Sequence, residues 1–256
     1  MKSELHYNDD IKVRIKALNL PVRIILCLLP LLLLSVFFCS CSRHDKPGSG
    51  LEFMQPDIPI SGDTATVEVE RPVSPFNDVY VYDARELKII TGDTYSLHLS
   101  GAKCYVDSML SHVSNSTLMI KYRNRDTHYR RVTVTVTLPQ LDELEVNGCG
   151  RLSILGRPVM GDNFYMELRH VDNANLNTPL TATNLTISLT SVRFSYLNIN
   201  ASRLNLRTVD IGSLVIDGTV KNAYFNLDNP ITVDRSKLNV ETGIDNNITS
   251  KDPLGM

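Results

Sequence analysis

From Leu144 onward the chain repeats a very short apolar unit: a large apolar residue, one intervening residue, then a second apolar residue. The pairs are Leu144/Val146, Leu152/Ile154, Phe164/Met166, Leu185/Ile187, Leu197/Ile199, Leu204/Leu206, Leu214/Ile216 and Phe225/Leu227. Residues two apart share one face of an extended strand, so each pair marks a short strand with one buried face. The middle residue, such as Thr186, Asn198 or Asn205, then points outward. From Leu185 the pairs begin 12, 7, 10 and 11 residues apart. Two consecutive steps span about 17 to 21 residues, the length of one solenoid coil. Separate hairpins would need longer strands than these pairs supply. Residues 172–230 also hold ten Asn and a single Lys. Asn tolerates the left-handed backbone of tight corners, and stacked amides can bond along a coil axis.

The first half is strand-rich in a different rhythm. Val79–Tyr82, Leu87–Ile90 and Tyr95–Leu99 read as strands, with a turn at Thr91-Gly92-Asp93-Thr94 between the last two. Leu118–Tyr122 precedes a charged loop, and Val132–Thr137 alternates strictly, as a half-buried strand does. Thr64–Val69 reads as an isolated strand, and a helix is placed only around Cys104–Ser111.

The N-terminus reads as an export signal. A basic flank (Lys12, Arg14, Lys16, Arg23) precedes the apolar run Ile24–Phe38, 15 residues interrupted by Pro30 and Ser35. A bilayer span needs about 20 residues, whereas this length suits a secretory signal core. The run stops at Ser40-Cys41-Ser42, which resembles the lipobox of bacterial lipoproteins, cut before a cysteine that then carries lipid. The small Ser40 before Cys41 favours it over Cys39, which follows Phe38. The resemblance implies a signal peptide at 1–40, a lipidated Cys41 and attachment to a membrane through that lipid. Residues 41–75, with Pro47, Gly48, Gly50, Pro56, Pro59, Pro72 and Pro75, read as a stalk.

The whole chain holds 26 basic and 28 acidic residues. Removing the leader leaves 21 against 25, because Lys2, Lys12, Arg14, Lys16 and Arg23 leave together with Glu4, Asp9 and Asp10. This balance gives no basic excess for nucleic acid. Cys104 and Cys149 remain in the exported part, where they could form a disulfide or stand as two buried free thiols.

The stretch Val132–Ile154, VTVTVTLPQLDELEVNGCGRLSI, carries a family likeness. It has an alternating strand, Pro139, the Leu141–Val146 strand and the Gly-rich turn Asn147-Gly148-Cys149-Gly150. This pattern resembles the auto-transporter adhesin "head GIN" domain of exported proteins and lipoproteins in Gram-negative bacteria. Phe76–Val79 and Tyr95–Leu99 fall where that family opens its domain. Cys149 stands where the family has a small hydroxyl residue, and the later coils lack a clear second copy of the turn. The resemblance implies an all-β fold, a right-handed parallel β-helix (solenoid) with some antiparallel strands near its N-terminal end. The domain is placed at 76–240, followed by a flexible tail at 241–256.

Chemistry-bearing motifs are few. No two of His6, His44, His98, His112, His128 and His170 have metal-pair spacing, so no metal or cofactor is expected. No phosphate-binding loop and no nucleophile elbow occur. Asp142, Glu143 and Glu145 read as a solvated strand face. The loop Arg123–Arg131 gathers Arg123, Arg125, His128, Tyr129, Arg130 and Arg131. Guanidinium groups present paired donors, so this loop is the candidate anion or glycan patch, against the alternative of a soluble hairpin tip. Thr64, in Asp63-Thr64-Ala65, and Ser108, in Asp107-Ser108-Met109, match a short bacterial O-glycosylation acceptor pattern.

The sequence therefore points to a cell-envelope lipoprotein at the outer membrane whose solenoid binds a glycan, an envelope component or a protein, and is not an enzyme. Unpaired strand edges at the solenoid ends would permit self-association. The rivals are a polysaccharide-active β-helix enzyme and a purely structural envelope protein. Such enzymes line their grooves with acids and aromatics, whereas this chain has no Trp.

Overall fold

Alternating apolar residues build almost everything in the computed structural model, which describes residues 62–123, 130–156, 159–228 and 232–249. The strands are β1 (Thr66–Arg71), β2 (Asp78–Thr91), β3 (Ser96–Ala102), β4 (Met109–Ser114), β5 (Thr117–Tyr122) and β6 (Thr133–Leu138). They continue with β7 (Gln140–Leu155), β8 (Val159–Thr190), β9 (Phe194–Val209), β10 (Ser213–Asp228) and β11 (Thr232–Thr249). One short helix, α1 (Lys103–Ser108), sits between β3 and β4. Among the described residues, no helix is long and apolar enough to cross a membrane.

The strands form one mixed sheet, ordered β1-β3-β6-β2-β7-β8-β9-β10-β11, with β5 on β2 and β4 on β5. Antiparallel pairing is confined to β1/β3, β3/β6 and β4/β5, all near the N-terminal end. From β2 to β11 the pairing along the main path is parallel. Every residue of the eight apolar pairs is buried, at 2% exposure or less. The period-2 reading therefore fixed the correct inner face, and a single core follows it along the sheet.

Long strands bend at left-handed residues. Asp83 (φ 60), Gly148 (φ 79), His170 (φ 53), Ser191 (φ 53) and Asp210 (φ 54) each break a strand or end one. The ladder places them side by side: the β2/β7 and β7/β8 pairings flank 83, 148 and 170. Backbone bonds from Arg193 N to Val171 O (3.0 Å) and Gly212 N to Val192 O (2.9 Å) carry the row on to 191 and 210. A left-handed residue other than Gly costs about 1–2 kcal/mol, so the row marks where the sheet must turn. None of the described Asn of 172–230 is a corner. They serve on the outer face instead: Asn184 Nδ2 donates to Asn163 Oδ1 (2.7 Å) and Asn198 Nδ2 to Asn177 O (3.1 Å).

Several expectations are corrected. The stretch Val79–Ile90 is one bent strand rather than two, because Asp83 accepts the corner. β1 lies inside the expected stalk, yet it pairs along β3 from Thr66↔Ala102 to Arg71↔Leu97, so it is not isolated. Its Arg71 donates to Val106 O (2.8 Å) and Met109 O (2.5 Å), satisfying carbonyls at the end of α1. β5 and β6 are not a hairpin. Both run parallel to β2 on the same edge, β5 along Asp78–Val81 and β6 along Glu86–Thr91. At the other end, β11 continues through the expected tail to Thr249, opposite Asp228. Between Val215 and Asp217 the β10/β11 register shifts, and Arg235 lies 4.7 Å from the centre of the Phe225 ring.

Candidate functional site

The charged loop joins β5 to β6 at the corner row. Arg125, His128 and Tyr129 lie outside the described residues, whereas Arg123, Arg130 and Arg131 lie within them. Arg123 is exposed, with its backbone N–H bonded to Ser108 O (2.9 Å), and Arg131 is exposed. Arg130 crosses the corners of β2 and β7 to reach β8. Its guanidinium bonds Asp172 Oδ2 (3.0 Å) and His170 O (2.9 Å). That guanidinium is therefore committed to β8, and half of the candidate patch lies outside the described residues.

The remaining sequence candidates are placed singly. Cys41 and its alternative Cys39 lie outside the described residues. Thr64 is exposed beside β1, where Asp63 Oδ1 accepts from Ala65 N (2.9 Å). Ser108 is half-buried, and its hydroxyl donates to Cys104 O (2.7 Å), which leaves Thr64 as the accessible acceptor. Cys104 and Cys149 do not pair; both are buried free thiols. Cys104 lies on α1 and Cys149 beside the Gly148 corner of β7. Burial pushes the Cys149 thiol up to about 12, against its bonds to Arg151 and Leu87 backbone groups. Among the described residues no three His, Cys, Asp or Glu side chains are placed to hold a metal ion.

The acidic strand face is less solvated than expected. Register brings Asp78, Glu143 and Tyr165 into one row, and Tyr80, Glu145 and Glu167 into the next. Glu143, Glu145 and Glu167 are half-buried there, and Glu167 is paired with Arg169 (2.7 Å). Partial burial raises the Glu145 pKa, and the neighbouring Glu167 and Glu143 carboxylates raise it further. Burial likewise raises Tyr80, whose hydroxyl is bonded to Glu143. Glu145 and Glu167 line a notch of only about 10 Å³ with Tyr82, Val146, Asn147 and Arg169.

A larger concavity lies elsewhere, across β8, β9, β10 and β11, with a volume of about 550 Å³. Register builds it as a grid. One row is Asn184, Arg203, Asn222 and Gly243. Thr186, Asn205 and Tyr224 form the parallel row. Between them run Leu185, Leu204 and Ala223, all buried. Among the described residues Tyr224 is one of three large apolar side chains left exposed, at 38%. The Thr242 hydroxyl lies 2.8 Å from the Asn222 amide and 2.7 Å from Lys221 O. Sequence reasoning missed this groove, although its signal was present: Asn184, Arg203 and Asn222 recur at the same period as the apolar pairs.

Comparison with known proteins bears on the whole sheet. Residues 75–249 match the profile of the family described as "Putative auto-transporter adhesin, head GIN domain". No curated protein matches the chain. Among solved structures, a "putative adhesin" from Bacteroides fragilis is 13% identical, with a TM-score of 0.42, over 72% of this chain and 97% of its own. A "putative adhesin" from Parabacteroides merdae is 10% identical, with a TM-score of 0.35, over 73% of this chain and 97% of its own. A "putative lipid binding protein" from Parabacteroides distasonis is 15% identical, with a TM-score of 0.34, over 73% of this chain and 98% of its own. The superpositions are loose, and the assignment rests on the profile match, which covers most of the described sheet. The chain belongs to the auto-transporter adhesin head GIN domain family.

Proposed function

We propose that this protein is a lipid-anchored, adhesin-like binding module of the cell envelope, carried at the outer membrane by Cys41 and built as a right-handed parallel β-solenoid. The observation that carries the reading is the register. β9, Phe194–Val209, pairs first residue to first residue with β10, Ser213–Asp228, yet only Asp210, Ile211 and Gly212 join them. A straight strand of that length would span about 50 Å, whereas three residues reach about 10 Å. A strand that returns to its own start resolves the conflict, and the left-handed Asp210 marks the end of that return. Side-chain bonds 21 residues apart support one coil per such step, as in Thr183 to Asp162 (3.3 Å) and Tyr196 to Asp217 (3.0 Å). Parallel crossovers are right-handed in about 98% of cases, which supports the handedness.

Such a coil repeats polar positions outward at a fixed spacing, which suits many weak contacts with a glycan, an envelope component or a protein. The edges of β1 and β11 offer contacts for self-association in the same reading. The role is binding and not catalysis: Glu145 and Glu167 share a notch of only about 10 Å³, far smaller than a sugar-binding cleft. The test is binding of the detergent-solubilised full-length chain to a glycan array and to envelope fractions. Saturable binding supports the reading; no binding to either favours a structural protein, and depolymerisation of an arrayed polysaccharide favours an enzyme. The anchor is tested by palmitate labelling, which Cys41→Ser abolishes and Cys39→Ser retains.

A further inference from the structure

We propose that the groove across β8–β11 is the ligand site of this module and that it takes a carboxylate-bearing glycan, the carboxylate on Arg203 and a sugar face on Tyr224. The inference rests on the binding reading above and adds its site and ligand class. Arg203 is the one cation of the described lining, which holds no carboxylate. Three other arginines face carboxylates: Arg130 faces Asp172 (3.0 Å), Arg151 faces Glu86 (3.6 Å) and Arg169 faces Glu167 (2.7 Å). Arg203 instead stands between two neutral amides, Asn184 and Asn222, in adjacent strands.

The outer neighbour orients one of those amides: Asn184 Nδ2 donates to Asn163 Oδ1 (2.7 Å), which leaves Asn184 Oδ1 to accept. Asn222 lies beside the Thr242 hydroxyl, whose single proton is shared between Lys221 O (2.7 Å) and the Asn222 amide (2.8 Å). The row therefore sets the Arg203 cation between two amides at the strand spacing of about 4.8 Å. Guanidinium matches a carboxylate with two parallel bonds, and the flanking amides match hydroxyls on either side. Across the groove, the Tyr224 ring offers an apolar face with a polar tip. The volume lies within the range of small-molecule sites.

The chemistry favours a sugar acid over a peptide or nucleic acid. An extended peptide binds sheets by adding to a free edge, but the groove crosses the face of strands already paired to one another. Nucleic acid needs several cations along its backbone, and the described lining offers one.

The test titrates the detergent-solubilised full-length chain with oligogalacturonate, oligomannuronate and hyaluronan fragments, and with each after carboxyl reduction. At least one uronate is expected to bind, and carboxyl reduction to weaken it roughly tenfold or more, the scale of a hydrogen bond to a charged group. Arg203→Gln is expected to cause the same loss, and Tyr224→Ala a loss of about threefold to tenfold. Arg193→Gln, outside the groove, should leave affinity unchanged. Circular dichroism of each variant should match the parent chain. Equal binding of the reduced oligomers, or unchanged affinity in Arg203→Gln, overturns the site. If no uronate binds while envelope fractions still capture the chain, the ligand class is wrong and the binding function stands. If neither binds, both readings fail.

Discussion

Gly218 carries the sharpest stability prediction. It lies in β10 opposite Ile199 of β9, with φ +117. A Cβ built there would fall 1.9 Å from Ile199 O and 2.9 Å from both Ile199 N and C. All three are backbone atoms, so no side-chain rotation relieves the contact. Forcing an L side chain into that conformation costs about 1–3 kcal/mol. Displacing the strand also weakens neighbouring ladder bonds, each worth about 1 kcal/mol. Gly218→Ala should therefore lose about 3–5 kcal/mol, the range reserved for a named backbone or core defect. Gly148 is the control. It also has positive φ (+79), but its new Cβ would meet Asp83 Oδ1, the mobile end of a side chain, at 2.3 Å. Gly148→Ala should lose about 1–2 kcal/mol, the cost of a left-handed L residue. Urea unfolding of both variants, followed by far-ultraviolet circular dichroism, gives the comparison. Hydrogen exchange should show β10 and β11 losing protection before β2 and β7, since β11 reaches the ladder through β10. Equal losses in the two variants, or a Gly218→Ala loss below about 0.5 kcal/mol, the scatter of ordinary surface substitutions, would refute the reasoning.

Three further outcomes follow from the electrostatics. Because partial burial and the Glu167 and Glu143 carboxylates raise Glu145, the folded chain holds that proton more tightly than the unfolded chain. Its favourable contribution is present below the ordinary glutamate range and is lost as pH rises through the raised folded value; Glu145→Gln should raise Tm at neutral pH, and the gain should vanish on acidification. The Cys149 thiol, pushed up to about 12 by burial, should resist iodoacetamide in the native chain and label only in denaturant, as read by peptide mass mapping. Above the ordinary thiol pKa the unfolded thiol ionises first, so Cys149→Ala should reduce the loss of stability on moving to alkaline pH. Arg130→Ala removes the bonds to Asp172 and His170 O, and should cost about 1–2 kcal/mol and speed proteolysis of the 124–129 loop while far-ultraviolet dichroism stays unchanged.

The sequence exposed inward and outward positions far better than it exposed pairing. Leu185/Ile187 and Phe225/Leu227 could be read because strand alternation is local, and their burial follows directly. The α1 helix also lay where the chain departs from alternation. Which strand lies beside which depends on contacts distant in sequence. Val132–Thr137 looks like the return strand of Leu118–Tyr122, yet β6 and β5 share one edge of β2 instead. The corners were opaque for another reason. Asp83, His170 and Ser191 are ordinary residues forced into a left-handed conformation, and no local signal marks them. The charged loop drew attention through composition, but Arg130 proved to be a structural tie. The groove was hidden because Asn184, Arg203 and Asn222 are unremarkable singly and meet only through register.

That register has an evolutionary consequence. Ser213 pairs with Phe194, and Phe194 with Asn173, so a step of 19 to 21 residues returns the chain to the same lateral position. In the solenoid proposed above, duplicating one step in the gene would insert a rung whose inner residues meet an existing core and whose outer residues lengthen every lateral row at once. The corners beside it would keep their partners, and the antiparallel strands around β1 and β3 would be untouched. Lineages could thus lengthen or shorten the exposed surface by unequal recombination, in whole rungs, without redesigning the protein that carries it.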